Sequence, residues 1–405
     1  MIAIASQVPI WCLPVIQSIL IHVIVGITAA FTSSRSQLRY ITLLAAVALA
    51  YHLQCHVHAA FPSIRIAGLL SALCWAQILN AADILCLSRV TYAQQLEWER
   101  ATTDQKPKES LTLGNSCFSW SRLGWALDLS FNLRRIGTPW HIKNLPNFDK
   151  TEGHWTSRLG FFRYRIFVIC LALLTLRLLN YGGNQKALVD VMSVENQSLV
   201  RFTDGIFMQK LLSHVSLVVS YWLNMRATHQ LMYNSCAVIS VALGIHESTS
   251  WPPLGGSIME AWTLRRFWGS TWHQLFRKLL DSNSTFISCS VLRIPAGTLW
   301  ARYSRLLLAF LLSGVVHVLM DLARGIPVLQ GGSIPFFTIH AVGIMAEDLA
   351  THIGGITFGE GRAWWKRTIG YLWVGLFILI TTPMWSLPIC RELYRVGERV
   401  PFLYL

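Results

Sequence analysis

Apolar residues run in blocks of about the length a bilayer core requires, roughly 20 residues each, separated by short polar breaks and by two long basic stretches. The blocks lie near Val8 to Phe31, Tyr40 to His58, Ile64 to Leu87, Arg165 to Tyr181, Phe207 to Leu223, Met232 to Ile245, Tyr303 to Leu322, Ser333 to Ile353 and Ile369 to Leu387. This pattern predicts an all-α fold, a polytopic transmembrane helical bundle of about eight to nine spans with some partial or re-entrant. A single membrane-embedded domain, residues 1–405, accounts for the whole chain. Within it, residues 88–164 form a large basic loop, residues 246–302 a tryptophan- and arginine-rich interfacial segment, and residues 303–387 three further spans.

Charge sets the expected orientation. The first loop carries Arg89, Arg100, Lys106, Lys108, Arg122, Arg134, Arg135, Lys143, Lys150, Arg158 and Arg163 against fewer acids, which the positive-inside rule assigns to the cytosol. Between Gly182 and Arg201 the charges nearly balance, and Asn196-Gln197-Ser198 forms a glycosylation acceptor suited to the lumenal side. Three spans between the two basic stretches would place the second in the lumen, against Arg265, Arg266, Arg277 and Lys278. The simplest resolution is that one helix between Phe207 and Ile245 fails to cross, because His214, Asn224, Arg226, His229 and Asn234 interrupt it. Use of the second acceptor, Asn283-Ser284-Thr285, would overturn that resolution.

Composition narrows the class. Of 405 residues, 53% are hydrophobic and 13% charged, a charged fraction about half that of soluble domains, so this is a membrane protein. Lys and Arg outnumber acids 34 to 20, formally +14. These cations sit between apolar runs rather than in one basic domain, which favours membrane topology and an anionic ligand over nucleic acid. The nine cysteines are scattered without C-x-x-C spacing, so neither a metal site nor a disulfide framework is expected. The apolar N-terminus lacks a basic n-region and an A-x-A site and reads as a first span, not a removed signal peptide.

Two places carry chemistry. The first is Trp262-Thr263-Leu264-Arg265-Arg266-Phe267-Trp268-Gly269-Ser270-Thr271-Trp272-His273-Gln274, entered through Trp251-Pro252-Pro253-Leu254-Gly255-Gly256. Its bland reading is an aromatic belt with snorkelling cations at the headgroup level. The second is His317 in the run Leu306 to Leu319, one turn after Ser313 and Gly314 and followed by Asp321 on the same face. A histidine there can be a packing residue bonded to a neighbouring helix. It can equally be a base whose ring Asp321 orients, and an intramembrane ionisable group is a functional-site hypothesis by default. His340, Glu347 and Asp348 form a second polar patch. A proton path in a transporter would use such groups too, but no repeat symmetry accompanies them. There is no Gly-x-Ser-x-Gly elbow, P-loop or aspartate-rich diphosphate motif. Cations, aromatics and a buried base together suit an acyl-CoA better than a bare phosphate.

The chain resembles the membrane-bound O-acyltransferase superfamily, in its wax-synthase-like branch, and the fungal acetyltransferases that decorate terpenoids and meroterpenoids. The resemblance rests on Leu133-Arg134-Arg135-Ile136-Gly137-Thr138-Pro139-Trp140 with Lys143-Asn144-Leu145-Pro146, on Trp251-Pro252-Pro253-Leu254 with Arg266-Phe267-Trp268 and Trp272-His273-Gln274, and on Ser313-Gly314-x-x-His317. It implies a substrate tunnel, with His317 as catalytic base and Trp268, Trp272, His273 and Gln274 on the acyl-donor side. A direct transfer follows, in which His317 takes the proton of a hydroxyl attacking the thioester. His273, Gln274 or Trp272 would donate to the oxyanion, and Arg265, Arg266, Arg277 and Lys278 would hold the CoA phosphates. The resemblance further implies acetyl-CoA as donor, a small hydrophobic terpenoid alcohol as acceptor, no metal, and residence in the endoplasmic reticulum membrane. The family's long-chain members often carry asparagine where this chain has His273. A wax-ester or sterol-ester synthase using long-chain acyl-CoA, or a proton-coupled transporter, are the alternatives.

Overall fold

A computed structural model describes residues 9–102, 119–142, 157–181, 192, 207–354 and 364–402. The Asn196 acceptor and Lys143 to Pro146 lie outside them. Two compact units emerge, Met1–Lys143 with Leu275–Pro327, and Asn144–Gln274 with Val328–Leu405. All regular structure among the described residues is helical.

The first unit contains α1 (Cys12–Phe31), α2 (Leu38–Ala60), α3 (Ile64–Ala82, continued by a π turn Asp83–Leu87), α4 (Tyr92–Thr102) and α5 (Trp120–Phe131). Later in the chain it adds α9 (Arg277–Thr285, continued by a π turn Phe286–Val291) and α10 (Leu299–Ala323). Because lipid is as apolar as leucine, burial here follows size rather than polarity. Along α2 one stripe, Ala46, Ala50, Leu53 and Val57, is fully buried, while Ile41, Leu44 and Tyr51 stay exposed. Gly26 lets α1 touch α5, since a Cβ there would stand 2.3 Å from the Ala126 carbonyl oxygen. Arg39, buried on α2, donates to the carbonyls of Ala29, Thr32, Leu85 and Val90, covering helix ends that hydrocarbon would leave unsatisfied. Arg135, beyond α5, is fully buried and bonds Asn80 at 2.6 Å and Asp83 at 3.2 Å. Burial pulls its guanidinium below the ordinary value, and Asp83 opposes that.

The second unit holds α6 (Arg158–Tyr181), α7 (Phe207–Ala242), the short turn α8 (Leu264–Arg266, continued by a π turn Phe267–Thr271), α11 (Ser333–Gly354) and α12 (Trp364–Arg395). Helix α6 packs along α7, and Arg165 on α6 donates to Asn234 on α7 at 2.6 Å. Gly332 (φ +70°) opens α11 against α12, where a Cβ would meet the Met384 carbonyl oxygen at 1.9 Å.

Among the described residues six helices are long and apolar enough to cross a membrane: Cys12–Phe31, Leu38–Ala60, Ile64–Leu87, Arg158–Tyr181, Leu299–Ala323 and Trp364–Arg395. The expected division into Phe207 to Leu223 and Met232 to Ile245 is corrected, because one 36-residue helix runs through both. Polar residues at Asn224, Arg226 and His229 do not break it; intrahelical backbone bonding is the only way to satisfy the main chain in an apolar medium.

Candidate functional site

In the second unit the tryptophan block is fastened from below and from the side. Thr263 caps α8, its hydroxyl accepting from Arg266 N at 3.0 Å. Glu347 on α11 accepts from the backbone N–H of Leu264 at 2.6 Å and of Arg265 at 3.2 Å, and from Trp373 Nε1 at 2.7 Å. Arg265 makes a two-point contact with Asp348, at 3.1 and 2.6 Å. Trp268 Nε1 donates to His340 Nδ1 at 3.0 Å. An indole N–H can only donate, so Nδ1 is an acceptor and the His340 ring is neutral with its proton on Nε2. That proton points to Thr381 Oγ1 at 3.2 Å, whose own hydrogen goes to the Phe377 carbonyl at 2.7 Å.

The block turns back on itself beyond the π turn. Gln274 Nε2 gives its hydrogens to the carbonyls of Trp268 at 3.1 Å and Trp272 at 2.8 Å, and its backbone N–H to the Leu254 carbonyl at 2.9 Å. A Cβ on Gly255 would lie 2.5 Å from the Thr271 carbonyl oxygen, so only glycine lets the Trp251 to Gly256 loop seat there. Trp222 of α7 meets Phe267, Trp268 and Trp272 edge-on, with centroids 5.3, 6.1 and 4.8 Å away. Arg266 and Arg367 both lie over the Trp262 ring, at 4.3 and 4.7 Å.

Between α7 and this block lies a recess of about 10 Å³, lined by Arg226, His229, Gln230, Leu254, Gly255, Trp272 and His273. It holds about one water. The His229 and His273 rings lie 4.5 Å apart, and His229 Nδ1 bonds the Met225 carbonyl at 2.7 Å. The sequence reading used Arg226 and His229 only as helix interruptions and did not weigh Gln230. Their spacing was the available signal: three and four residues apart, Arg226, His229 and Gln230 share one helix face.

In the first unit His317 lies midway along α10, half-buried, with Nδ1 2.7 Å from the Ser313 carbonyl. A carbonyl only accepts, so Nδ1 carries the proton, and in the neutral ring the lone pair belongs to Nε2. Asp321 meets Arg324 Nη1 at 3.0 Å, while the Ser313 carbonyl orients the ring. Lys278 on α9 stands 3.6 Å from Asp83 and 3.4 Å from Ser88. Arg277 opens α9. Of the four cations expected at CoA phosphates, Arg265 and Lys278 thus already face carboxylates, and Gln274 serves the turn. Trp272 and His273 line the recess and Trp268 braces the block; His317 and Asp321 belong to the first unit, His273 to the second.

The Membrane bound O-acyl transferase family matches residues 251–339, a span containing the block and His317. Acetyltransferase ataH of Aspergillus terreus is 32% identical over 286 residues, covering 69% of this chain and 93% of its own. Acetyltransferase aurG of Calcarisporium arbuscula is 28% identical over 334 residues, 80% of each chain. Acetyltransferase fsoF of Humicola fuscoatra is 30% identical over 332 residues, 76% of this chain and 79% of its own. No solved structure matches. The chain belongs to the membrane-bound O-acyltransferase family. It is a membrane acyltransferase enzyme, and its relatives imply an acyl-CoA donor.

Proposed function

We propose that this enzyme moves an acetyl group from acetyl-CoA to a hydroxyl of a terpenoid or meroterpenoid, as a multi-pass protein of the endoplasmic reticulum. The observation that carries the reading is the His317 Nδ1 bond to the Ser313 carbonyl, which leaves Nε2 as the basic nitrogen. His317 Nε2 takes the hydroxyl proton as the oxygen attacks the thioester carbonyl carbon, a contribution of roughly 10²- to 10⁴-fold. The carbonyl re-forms as the C–S bond breaks, and the proton ends on the CoA sulfur. Asp321 acts as a positioning residue through the helix that carries His317. His273 lies beside the acyl group, with Trp268 and Trp272 as donor-side walls and Gln274 holding their turn. Arg266 and Arg277 meet the CoA phosphates, with Arg265 and Lys278 shared between those phosphates and Asp348 or Asp83. Acetyl as the group moved is supported by the names of the relatives. Incubating membranes with labelled acetyl-CoA and a panel of terpenoid alcohols tests it: a product heavier by one acetyl group is expected. Transfer only from long-chain acyl-CoA would replace this reading with a wax-ester or sterol-ester synthase.

A further inference from the structure

The recess against α7 has a chemical bias. Arg226 is half-buried, donates one long bond of 3.5 Å to the Thr271 carbonyl, and pairs with no carboxylate among the described residues. A cation held even half-buried without an acid is costly in a protein of this kind. Gln230 adds donors by a chain of forced orientations. The Arg165 guanidinium can only donate, so Asn234 Oδ1 accepts and Asn234 Nδ2 must donate. Asn234 Nδ2 does so to Gln230 Oε1 at 2.9 Å, which fills the oxygen of that amide and leaves its N–H₂ for the recess. A space of one water's size is thus lined by Arg226 and Gln230 together with His229 and His273.

We infer that Arg226 and Gln230 form the slot for the thioester carbonyl oxygen, and that His229 walls it opposite His273. The inference rests on the acyl-transfer reading above. When the acceptor oxygen bonds to the carbonyl carbon, the C=O electron pair moves onto that oxygen, and the two donors meet the charge. When the pair returns, the C–S bond breaks and its electrons leave with the CoA sulfur, which receives the proton lost by the acceptor hydroxyl. Donors set in advance toward a charge that exists only in the transition state lower the barrier without tightening substrate binding.

The experiment compares wild type with Arg226→Gln, Arg226→Lys and Gln230→Leu in the same membranes, reading kcat, KM for acetyl-CoA and Tm. Losing one such donor costs about 10²- to 10³-fold in kcat; Arg226→Gln and Gln230→Leu are each expected to fall by that factor, with KM within about threefold and Arg226→Lys partly restored. Unchanged kcat, or a loss entirely in KM, overturns the slot, as does a Tm drop shared by Arg226→Lys. If wild type accepts only longer acyl-CoA, the acetyl reading fails, and the slot is decided by the same kcat ratios with that donor, because every thioester presents the same oxygen.

Discussion

Two polar regions flank the tryptophan block, and they are built differently. Toward α11, each carboxylate and imidazole has its partners: Glu347 takes three N–H donors, Asp348 takes a guanidinium, and His340 is bonded on both ring nitrogens. Toward α7, Arg226 makes one long bond to a carbonyl and meets no carboxylate among the described residues, and the Gln230 oxygen is taken by Asn234. The first region is a brace and the second a place for a ligand. Ionisable residues inside apolar helices are thus not equivalent. Counting what each nitrogen and oxygen already does separates support from chemistry. The same count weakens a proton path through His340, whose Nδ1 lone pair and Nε2 proton are both engaged.

The comparison is most sharply broken at Glu347. Replacing it by alanine leaves one buried and two part-buried N–H donors without their acceptor, the buried one costing about 1–3 kcal/mol. Thermal unfolding followed by tryptophan fluorescence should show by far the largest Tm loss of any variant on α11, and a wild-type Tm would refute the brace. Trp268→Phe removes the donor to His340 Nδ1 and part of the ring packed on Trp222 and Phe337, and a loss of about 1–3 kcal/mol is expected, with kcat falling no further than stability explains. A large kcat loss at unchanged Tm would move Trp268 into the chemistry. Arg265→Gln breaks a half-exposed pair with Asp348, with side chains 41% and 18% exposed, worth about 0.2–1 kcal/mol. Its KM for acetyl-CoA should rise less than that of Arg266→Gln, because Asp348 already takes part of the Arg265 charge; the reverse ranking would give Arg265 the larger part at the phosphates.

Much of the fold was legible because a bilayer leaves the chain little choice. An apolar run of about 20 residues becomes a helix, and α1, α2, α3, α6, α10, α11 and α12 fall where the runs lie. The failure at α7 has a physical cause. His229 and Asn234 lower local hydropathy as a loop would, yet they are satisfied by i−4 carbonyls and by Arg165. Hydropathy cannot distinguish a polar residue that faces protein from one that ends a helix. His317 and the tryptophan block were legible from residue types that hydrocarbon rejects. Which partner each charge meets was not, since Asp348 and Arg265 lie 83 residues apart and Asp83 and Lys278 belong to separate segments.

The most direct test of the central claim is the rate of labelled acetyl transfer to a terpenoid alcohol by wild-type and His317→Ala membranes matched for protein and Tm. With His317 as the base, the variant retains no more than about one hundredth of the wild-type kcat and an unchanged KM for acetyl-CoA. Equal rates in the two would remove His317 from the chemistry and leave the reaction to a group on the other unit's block.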